Sequence, residues 1–479
     1  MQPTSPRRAR TRPSLLWSLA CLVACTPAAY HGQAPSFYLQ PLPTEPQLAA
    51  DGSLDRSTLP RLADEQAPAT GPIAVSLDRA LRVSALTHPR VRSLLETVVQ
   101  ARANHITASL LPNPRLGLGY TLAPFPGGSF DATQRQGGPP QFDFGLGLVV
   151  DTLLFGKRAA GIQLAELEVD AALAQYADLG RQLMLGVIDD YFTVVQSDAL
   201  RALQQEEHEE MQRFVEALAR QVELGGATRI ELDRARTALA LTQQRLVQAE
   251  ADFDNSLTRF RAWLGGADGG ERAVPVAGLD ATAEVSTTEL APLLALANDQ
   301  RPDLVAARRD VTSAEANLAY QECLAWPSMV LTPGVTRQYQ SRAIGFPNAN
   351  SWGIGLDASL PLFDRNQGNI AAAASLLRQA QLELEVRSIA VRAEVTQALR
   401  DFQAARASAT IVDQTALQAA RSARDGIESA RALGSRTLLE VLDARAAYRE
   451  VQREQVRART ELQRAASRLR AIVASETLQ

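Results

Sequence analysis

The stretch LGSRTLLEVLDARAAY, Leu433 to Tyr448, has a counterpart earlier in the chain, LGGATRIELDRARTAL, which starts at Leu224. When the two are aligned without a gap, both contain a glycine, a threonine three residues later and a glutamate three residues after that. These residues are Gly225, Thr228 and Glu231 in the first stretch and Gly434, Thr437 and Glu440 in the second. Glycine accepts the left-handed conformation in which helices often end. The pattern therefore predicts that a long helix stops and a new one starts at two equivalent places.

The segments around both glycines are rich in Ala, Leu, Arg, Gln and Glu, a composition that favours long helices. Before Gly225 a helix is predicted from Lys157 to about Glu223, which at about 1.5 Å per residue would be roughly 100 Å long. After each glycine, mostly apolar residues recur every seven positions: Leu232, Leu239, Leu246, Phe253 and Phe260, then Val441, Tyr448, Gln455, Leu462 and Leu469. A strict seven-residue repeat indicates a left-handed coiled coil. Each glycine is therefore predicted at the tip of a helical hairpin.

Two pairs of strands are predicted ahead of the hairpins, at 115–122 and 141–150 in the first half and at 328–338 and 352–360 in the second. In the later strand of each pair, apolar residues alternate with glycine and polar residues. An alternation of period two is typical of a strand with one apolar face and one small or polar face.

A unit of helix, two strands and helical hairpin is thus used twice. The leading helix of each unit is predicted over 76–110 and 288–324. The predicted boundaries are 76–264 for the first unit with its tip at 224–229, 265–287 for a connector, 288–474 for the second unit with its tip at 433–438, and 475–479 for a short tail.

Residues 1–24 have the pattern of a secretory signal peptide, because a basic segment precedes an apolar run from Leu15 to Ala24. The run is too short to cross a bilayer as a mature helix. It ends in the sequence LVAC, which resembles a bacterial lipobox, so Cys25 is predicted to be the lipidated first residue of the mature protein. The alternative is an ordinary signal peptide with an incidental cysteine.

Residues 25–75 contain several prolines, which forbid a continuous helix, and are predicted to form an extended tether. Lipidation of Cys25 leaves Cys323 without a partner for a disulfide. No later segment has 18 consecutive apolar residues, so any membrane crossing would have to use β-strands. The net charge of −4 gives no sign of nucleic-acid binding.

Four strands with one apolar face cannot close a barrel within one chain. A transmembrane barrel has lipid outside and water inside, and strands with one apolar and one polar face fit that arrangement. Three chains would supply twelve strands, enough for an open pore. The Ala-rich helices also need neighbours, because they have few large side chains with which to fill a core of their own. The alternative is a long coiled-coil scaffold with soluble hairpins inserted.

These features resemble the TolC family of outer-membrane efflux channels over about residues 76 to 474. The most specific segment is LGSRTLLEVLDA, from Leu433, which is similar to the second hairpin turn of the family. SLPLFDRNQG, from Ser359, is similar to the strand-to-helix junction of the family. The first-half counterpart, DTLLFGKRAAG, departs from that junction because Leu153 stands where the second half has Pro361.

Two further segments point to branches of this family. LLPNPRLGLGY, from Leu110, resembles the branch that serves metal-ion efflux, and the lipobox at Cys25 resembles the lipoprotein branch. The resemblance implies a mainly α protein with membrane β-structure: a homotrimer whose twelve-stranded outer-membrane β-barrel continues into a long periplasmic α-helical barrel. It also implies a periplasmic adaptor and an inner-membrane pump as partners, contact with outer-membrane lipid, and passive transport without a cofactor.

The resemblance places a closed gate at the tip of the second hairpin, where Arg436, Glu440 and Asp443 match the polar positions of the family. The spacings i,i+4 and i,i+3 allow all three side chains to share one helix face. In a trimer they would form rings of carboxylates, which favour cations and repel one another unless they pair with arginine. The alternative is a charged, solvated hairpin end. The family often has an aromatic residue at the position of Arg431.

The resemblance also assigns adaptor contact to the two tips. The residues concerned are Leu224, Gly225 and Thr228 in the first tip and Leu433, Gly434 and Thr437 in the second.

No sequence motif indicates an enzyme or a resident metal. His208 lies in the acidic run Glu206–Glu210, but consecutive helical positions point in different directions, so an exposed acidic patch is predicted there rather than a metal site. A lipid-anchored periplasmic adaptor remains the alternative function, although adaptors usually have one hairpin and more strands. The exported substrate is left open between metal ions, drugs and other small molecules.

Overall fold

The computed structural model describes residues 71–121, 140–265, 270–276, 278, 285, 289–343 and 345–473. The predicted signal peptide, Cys25, the tail, most of the tether and much of the connector lie outside these residues. The described chain divides into two compact units. The first unit is formed by residues 102–166 and 327–360, and the second by residues 71–101, 167–326 and 361–473.

The structure is mainly helical, as predicted. The helices are α1 (Leu77–Thr87), α2 (Pro89–Ser109), α3 (Asp151–Leu154), α4 (Lys157–Glu223), α5 (Arg229–Trp263), α6 (Leu290–Gln300), α7 (Pro302–Leu324), α8 (Gln340–Ala343), α9 (Gln367–Ile411), α10 (Leu417–Ala432) and α11 (Leu438–Val473). The strands are β1 (Ile73–Val75), β2 (Arg115–Thr121), β3 (Gln141–Val149), β4 (Ala273–Pro275), β5 (Ser328–Gln338) and β6 (Ala349–Ser359). Among the described residues, no helix has an apolar stretch long enough to cross a membrane.

The first unit contains an antiparallel sheet in the order β2-β3-β5-β6. The predicted alternation is visible in its cross-strand rows. One row crosses all four strands with glycine alone, pairing Gly117 with Gly145, Gly145 with Gly334 and Gly334 with Gly353. Large apolar side chains occupy the opposite face and are exposed on the single chain, among them Leu118, Phe144, Val335 and Trp352. The described residues therefore leave this apolar face uncovered.

The junction from β3 into α4 is held by a buried ion pair. Nζ of Lys157 lies 2.8 Å from Oδ2 of Asp151 and donates a second hydrogen bond to the carbonyl oxygen of Pro327 at 3.0 Å. Both charged side chains are less than a tenth exposed. Each therefore depends on the other, because an unpaired charge would be costly at that depth.

The second unit contains a parallel strand pair that the sequence analysis missed. β1 pairs with β4 within ranges that were predicted as tether and connector. The hydroxyl of Tyr191 donates towards the carbonyl oxygens of Val75 at 3.2 Å and Val276 at 2.8 Å, at the ends of these strands. Burial raises the pKa of Tyr191 to about 12, although backbone hydrogen bonds with Val276 and Leu77 lower it.

Two similar helical cores stabilise this unit. The first is built around Tyr191 and Phe260, and the second around Phe402 and Leu469. Val187, Tyr191 and Val194 of the first core correspond to Val395, Leu399 and Phe402 of the second, each 208 positions later, which agrees with a duplicated unit.

Each leading helix is broken where a single helix was predicted. α1 ends at Thr87 and α2 begins at Pro89, while α6 ends at Gln300 and α7 begins at Pro302. Proline lacks the N–H that a continuous helix requires and forces the preceding residue into an extended conformation. His88 and Arg301 accordingly have ψ values of 128° and 126°.

The break in the second half carries a buried charge. Arg301 is fully buried, and its Nη2 lies 2.6 Å from Oδ2 of Asp303 and 2.7 Å from Oε2 of Glu394. His88, at the equivalent position in the first half, instead stacks on the ring of Trp263 with centroids 5.5 Å apart.

The two long helices that lead to the tips differ. α4 is uninterrupted over 67 residues, with the bounds that the sequence predicts. A helix of similar length is predicted in the second half, but a π-helical turn at Val412–Ala416 separates α9 from α10. Nothing in the composition of this segment signals the turn.

Candidate functional site: the two hairpin tips

The first tip, between α4 and α5, is a Schellman turn. Gly225 has φ +75°. Its N–H donates to the carbonyl oxygen of Val222 at 3.1 Å, and the N–H of Gly226 donates to that of Gln221 at 2.8 Å. These two bonds satisfy carbonyl groups that the end of α4 leaves free, and they require the left-handed glycine.

A capping box starts α5 three residues after this glycine. The backbone N–H of Thr228 donates to Oε2 of Glu231 at 2.9 Å, and the N–H of Glu231 donates to the hydroxyl of Thr228 at 3.2 Å. Hydrogen bonds from the backbone and hydroxyl of Thr228 lower the pKa of Glu231, with a smaller contribution from Arg431. The charged carboxylate is therefore part of the turn.

The second tip repeats this geometry. Gly434 has φ +77°, and the N–H groups of Gly434 and Ser435 donate to the carbonyl oxygens of Arg431 and Ala430 at 2.8 and 3.0 Å. The start of α11 is a second capping box, with Thr437 N–H to Glu440 Oε2 at 2.8 Å and Glu440 N–H to Thr437 Oγ1 at 3.4 Å. Both glycines thus have the conformation expected from the sequence.

The structure joins two of the three gate candidates. Nη1 of Arg436 lies 2.8 Å from Oε1 of Glu440, while the other oxygen of Glu440 serves the capping box. The N–H of Thr437, and then Arg436, lower the pKa of Glu440. Within the described residues Asp443 is exposed and makes no hydrogen bond or ion pair. The Asp443 carboxylate therefore takes no part in the ion pair between Arg436 and Glu440.

The residues predicted for adaptor contact fall into two groups. Leu224 and Leu433 project from the tips and are 87% and 86% exposed. Thr228 and Thr437 are held in the capping boxes. The tips thus combine rigid turns with free leucine side chains.

The two hairpins pack against each other just beyond the tips. Leu438 is 3% exposed and lies in a cluster with Val215, Leu218, Leu232 and Ala235. Nη2 of Arg431 lies 3.8 Å from Oε1 of Glu231 on the other hairpin. Sequence reasoning missed this cross-hairpin contact, since nothing local indicates which residues of distant helices meet.

The acidic run Glu206–Glu210 is only in part the exposed patch that was predicted, since Glu206, Glu209 and Glu210 are exposed. Glu207 is buried, and Arg449 and Arg453 of α11 pair with the carboxylates of the run. Nδ1 of His208 lies 3.1 Å from the hydroxyl of Thr242 on α5. These contacts could not be predicted from the sequence, because the arginines lie about 240 positions away.

A cavity of about 930 Å³ lies between the two hairpins. Apolar side chains such as Phe214 and Leu442 line it together with charged ones, including Arg234, Arg445 and Asp443. Arg445 is paired with Glu428 at 2.6 Å. The cavity wall beside the second tip is therefore partly apolar and partly charged.

The tip motif and the duplicated hairpins match a known family. The model of the outer membrane efflux protein family matches residues 87–266 and 293–475. The chain belongs to that family. An outer membrane efflux protein is the outer-membrane channel of a tripartite efflux system, which also contains a periplasmic adaptor and an inner-membrane pump. The predicted channel function is confirmed, and the adaptor and scaffold alternatives have no support from this match.

Two proteins similar to this chain are named for metal resistance. The cobalt-zinc-cadmium resistance protein CzcC of Cupriavidus metallidurans is 25% identical over 376 residues, which are 78% of this chain and 84% of that protein. The nickel-cobalt-cadmium resistance protein NccC of Alcaligenes xylosoxydans xylosoxydans is 27% identical over 341 residues, 70% of each chain.

Solved structures of two other proteins share the fold of this chain. CusC has a TM-score of 0.68 at 17% identity, with 86% of this chain and 97% of that chain covered. VceC of Vibrio cholerae has a TM-score of 0.66 at 17% identity, with 83% and 96% covered. The fold class predicted from the sequence is therefore confirmed.

The left-handed turn can be tested with two alanine variants in the same hairpin arm. We expect Gly434→Ala to destabilise the tip by about 1–2 kcal/mol, because a Cβ is disfavoured in the left-handed region. Gly426→Ala, in the exposed interior of α10, should stabilise the helix by about 0.5–1 kcal/mol. Hydrogen–deuterium exchange of residues 426–440 measures both changes. Equal exchange in the two variants would contradict a required left-handed Gly434.

Proposed function

We propose that this outer membrane efflux protein is a homotrimeric, lipid-anchored and passive exit duct for metal ions, without catalytic chemistry of its own. The observation that carries the proposal is the incomplete sheet of the first unit. Within the described residues, β2 and β6 each have one strand partner, so both edges of the four-stranded sheet are open. Edge strands left unpaired invite pairing with another chain. Three copies would join edge to edge into twelve strands.

An exposed helix face supports the same assembly. Leu382, Val386 and Ile389 of α9 follow a 4,3 spacing and are all more than half exposed, as is Leu376 one to two turns earlier. Apolar residues at this spacing form the seam of a coiled coil. A second copy of the chain would bury this seam and continue the helical wall of the duct.

The proposed cargo follows from the relatives and from charge. CzcC and NccC are named for resistance to cobalt, zinc, cadmium and nickel. At the second tip, three copies of Asp443 would form a carboxylate ring, which favours cations. A duct takes its cargo from its pump, so the ring would assist cations rather than select one metal.

The anchor and the docking surface complete the proposal. Cys25 would carry the lipid that fixes the mature N-terminus to the outer membrane. The tips at 224–229 and 433–438 would meet the periplasmic adaptor, because Leu224 and Leu433 offer apolar side chains on rigid turns. Exposed apolar groups held on a rigid scaffold suit binding, since little side-chain entropy is lost.

The cargo can be tested in cells. Deleting the gene should lower the minimal inhibitory concentrations of zinc, cobalt, cadmium and nickel salts, and raise the metal content of the cells, because the exit duct is missing. Plasmid-borne wild type should restore both. Sensitivity to organic antibiotics alone would contradict metal export.

The same strain can carry two cysteine variants as a matched pair. Cys25→Ala should abolish incorporation of labelled palmitate, whereas Cys21→Ala should leave it in place. Labelling of the Cys25→Ala protein would contradict the proposed anchor.

Docking can be tested at the exposed leucines. We expect Leu433→Asp to weaken co-purification of the adaptor strongly, because a charge replaces an apolar contact while the Schellman turn remains. Val247→Asp, at a side chain that is 56% exposed on α5 and lies outside both tips, is the matched control. Adaptor recovery unchanged by Leu433→Asp would exclude this residue from the contact.

The gate can be tested by conductance. Arg436→Ala combined with Asp443→Ala should raise single-channel conductance in planar bilayers, because it removes the ion pair of Arg436 with Glu440 and any link that Asp443 makes between copies of the chain. Glu454→Ala with Arg457→Ala removes an exposed ion pair of 3.5 Å on the same helix and serves as the control. Conductance equal to wild type in the first double variant would remove these residues from the gate.

A further inference from the structure

One charged side chain lies on the apolar face of the four-stranded sheet. Residues paired across antiparallel strands point to the same side of a sheet, and so do alternate residues along one strand. Phe142 of β3 pairs with Tyr120 of β2 and with Arg337 of β5, and Arg337 also pairs with Asn350 of β6. This row belongs to the apolar face, because Val335 precedes Arg337 by two residues. Among the strand residues of that face that the structure describes, Arg337 alone carries a charge.

Arg337 lies far along its strand from the point at which the chain leaves the helices. β5 begins shortly after α7, and Met329 is its first residue on the apolar face. Arg337 follows eight residues later, which is about 27 Å along the strand at ~3.4 Å per residue. A strand tilt of about 40° reduces this to roughly 20 Å across a membrane, and the apolar band of a transmembrane barrel is about 25 Å tall. In the proposed barrel, whose helices extend into the periplasm, Arg337 therefore lies at the outer rim of that band.

Aromatic side chains surround Arg337 at this rim. Its guanidinium carbon lies 5.6 Å from the ring centre of Tyr339, two residues later on the same face. The N–H of Tyr339 donates to the carbonyl oxygen of Pro140 at 2.8 Å, so the backbone that carries the ring is held by the neighbouring chain segment. Tyr120 and Phe142 of the same row are exposed. Aromatic girdles of this kind lie at the level of the lipid headgroups.

The apolar face offers Arg337 no carboxylate. The acidic residue nearest to it in the strand register is Asp143, which follows Phe142 and therefore points to the glycine face. There Oδ1 of Asp143 accepts a hydrogen bond from the hydroxyl of Thr336 at 2.6 Å, and Oδ2 accepts one from Nε2 of Gln141 at 3.1 Å. Within the described residues, Arg337 has neither an ion pair nor a hydrogen bond to a carboxylate. A cation beside lipid is costly unless an anion compensates it, so an anionic lipid headgroup would stabilise this side chain.

Phosphate is the headgroup anion that this arrangement fits. A guanidinium presents its N–H donors in a planar fork that binds two oxygens of one phosphate, and stacking on an aromatic ring orients that fork. The amide of Asn350, on the same row, can donate a further hydrogen bond. The next row of the face contains Phe144, Val335 and Trp352, all exposed, which suit the acyl chains of the same lipid.

We propose that Arg337, stacked on Tyr339 and flanked by Asn350, binds a phosphate group of the glycolipid that forms the outer leaflet of the outer membrane. The acyl chains of that glycolipid would cover Phe144, Val335 and Trp352. The inference rests on the proposed function, because the apolar face meets lipid only when copies of the chain close into a barrel. A trimer would carry three such sites, one on each copy.

Lipid binding by the detergent-purified, full-length mature protein tests the site. Native mass spectrometry measures binding of diphosphorylated lipid A and of the same molecule after removal of both phosphates. We expect the wild type to bind the phosphorylated form at least about tenfold more tightly, and Arg337→Gln to lose about tenfold in affinity for it. Arg337→Lys keeps the charge without the fork and should lose less.

The matched control is Arg115→Gln. Arg115 is an exposed arginine of the same sheet, but it pairs with Gly147 and therefore lies on the glycine face. This variant should bind lipid A as the wild type does, because the glycine face would line the lumen of the barrel. A difference between the two arginines thus separates a site on the lipid face from general attraction of a basic protein to phosphate.

Three outcomes would overturn the site. These are equal affinities of Arg337→Gln and Arg115→Gln for lipid A, wild-type binding that survives removal of both phosphates, and equally tight, Arg337-dependent binding of phosphatidylglycerol, which would make the ligand a phospholipid. The same spectra report how many copies of the chain associate. Monomers would contradict the proposed trimer, whereas trimers that bind lipid A regardless of Arg337 would contradict only the lipid site.

Discussion

A left-handed glycine followed by a capping box is the constraint on which the rest of this structure depends. The helices that it joins are long and poor in large side chains, so they gain little from a core of their own. These helices are held in place because each tip turns the chain back at a fixed residue, so that one helix packs against the next. A capping box contributes only about 1 kcal/mol, but it decides where the chain reverses. Displacing either tip by one residue would rotate a whole helix face away from its neighbours.

The two halves have the same tip geometry, but different contacts stabilise their hairpins. The first hairpin has an unbroken arm, and its tip carries Ala227 where the second has Arg436. The second hairpin has an interrupted arm and depends more on charged contacts. The same contrast recurs at the proline breaks, where the first half has a stacked histidine and the second a buried arginine between two carboxylates. The two halves thus share one scaffold and differ in the contacts at these positions.

The parts that could be read from the sequence are those set by local pattern. The extent of α4, the two glycine turns and the alternation in the strands all follow from periodicity or from the conformational freedom of one residue. The capping boxes were not predicted, although their usual signal, a threonine followed three residues later by glutamate, is present in both tips. The breaks in the two leading helices were not predicted, although the prolines that cause them are visible in the sequence as His88-Pro89 and Arg301-Pro302.

The rest depends on which distant residues meet. The pairing of β1 with β4 joins segments about 200 positions apart, and neither is long enough to show a period. Glu206–Glu210 looked solvated because its arginines lie on another hairpin. The π-turn leaves no compositional trace, since any residue can occupy it. For Asp443 the structure shows an exposed side chain and a free carboxylate. The carboxylate ring of the proposed trimer would require both properties.

The buried pair of Lys157 and Asp151 has a practical consequence. Lys157 is the only lysine among 479 residues, since every other basic side chain apart from histidine is arginine. Its amine is enclosed by Asp151 and the carbonyl of Pro327. Reagents that attack primary amines, including the common bifunctional coupling esters, therefore find no accessible lysine on this protein. Reagents directed at guanidinium or thiol groups are therefore needed to label the protein or to cross-link it to its partners.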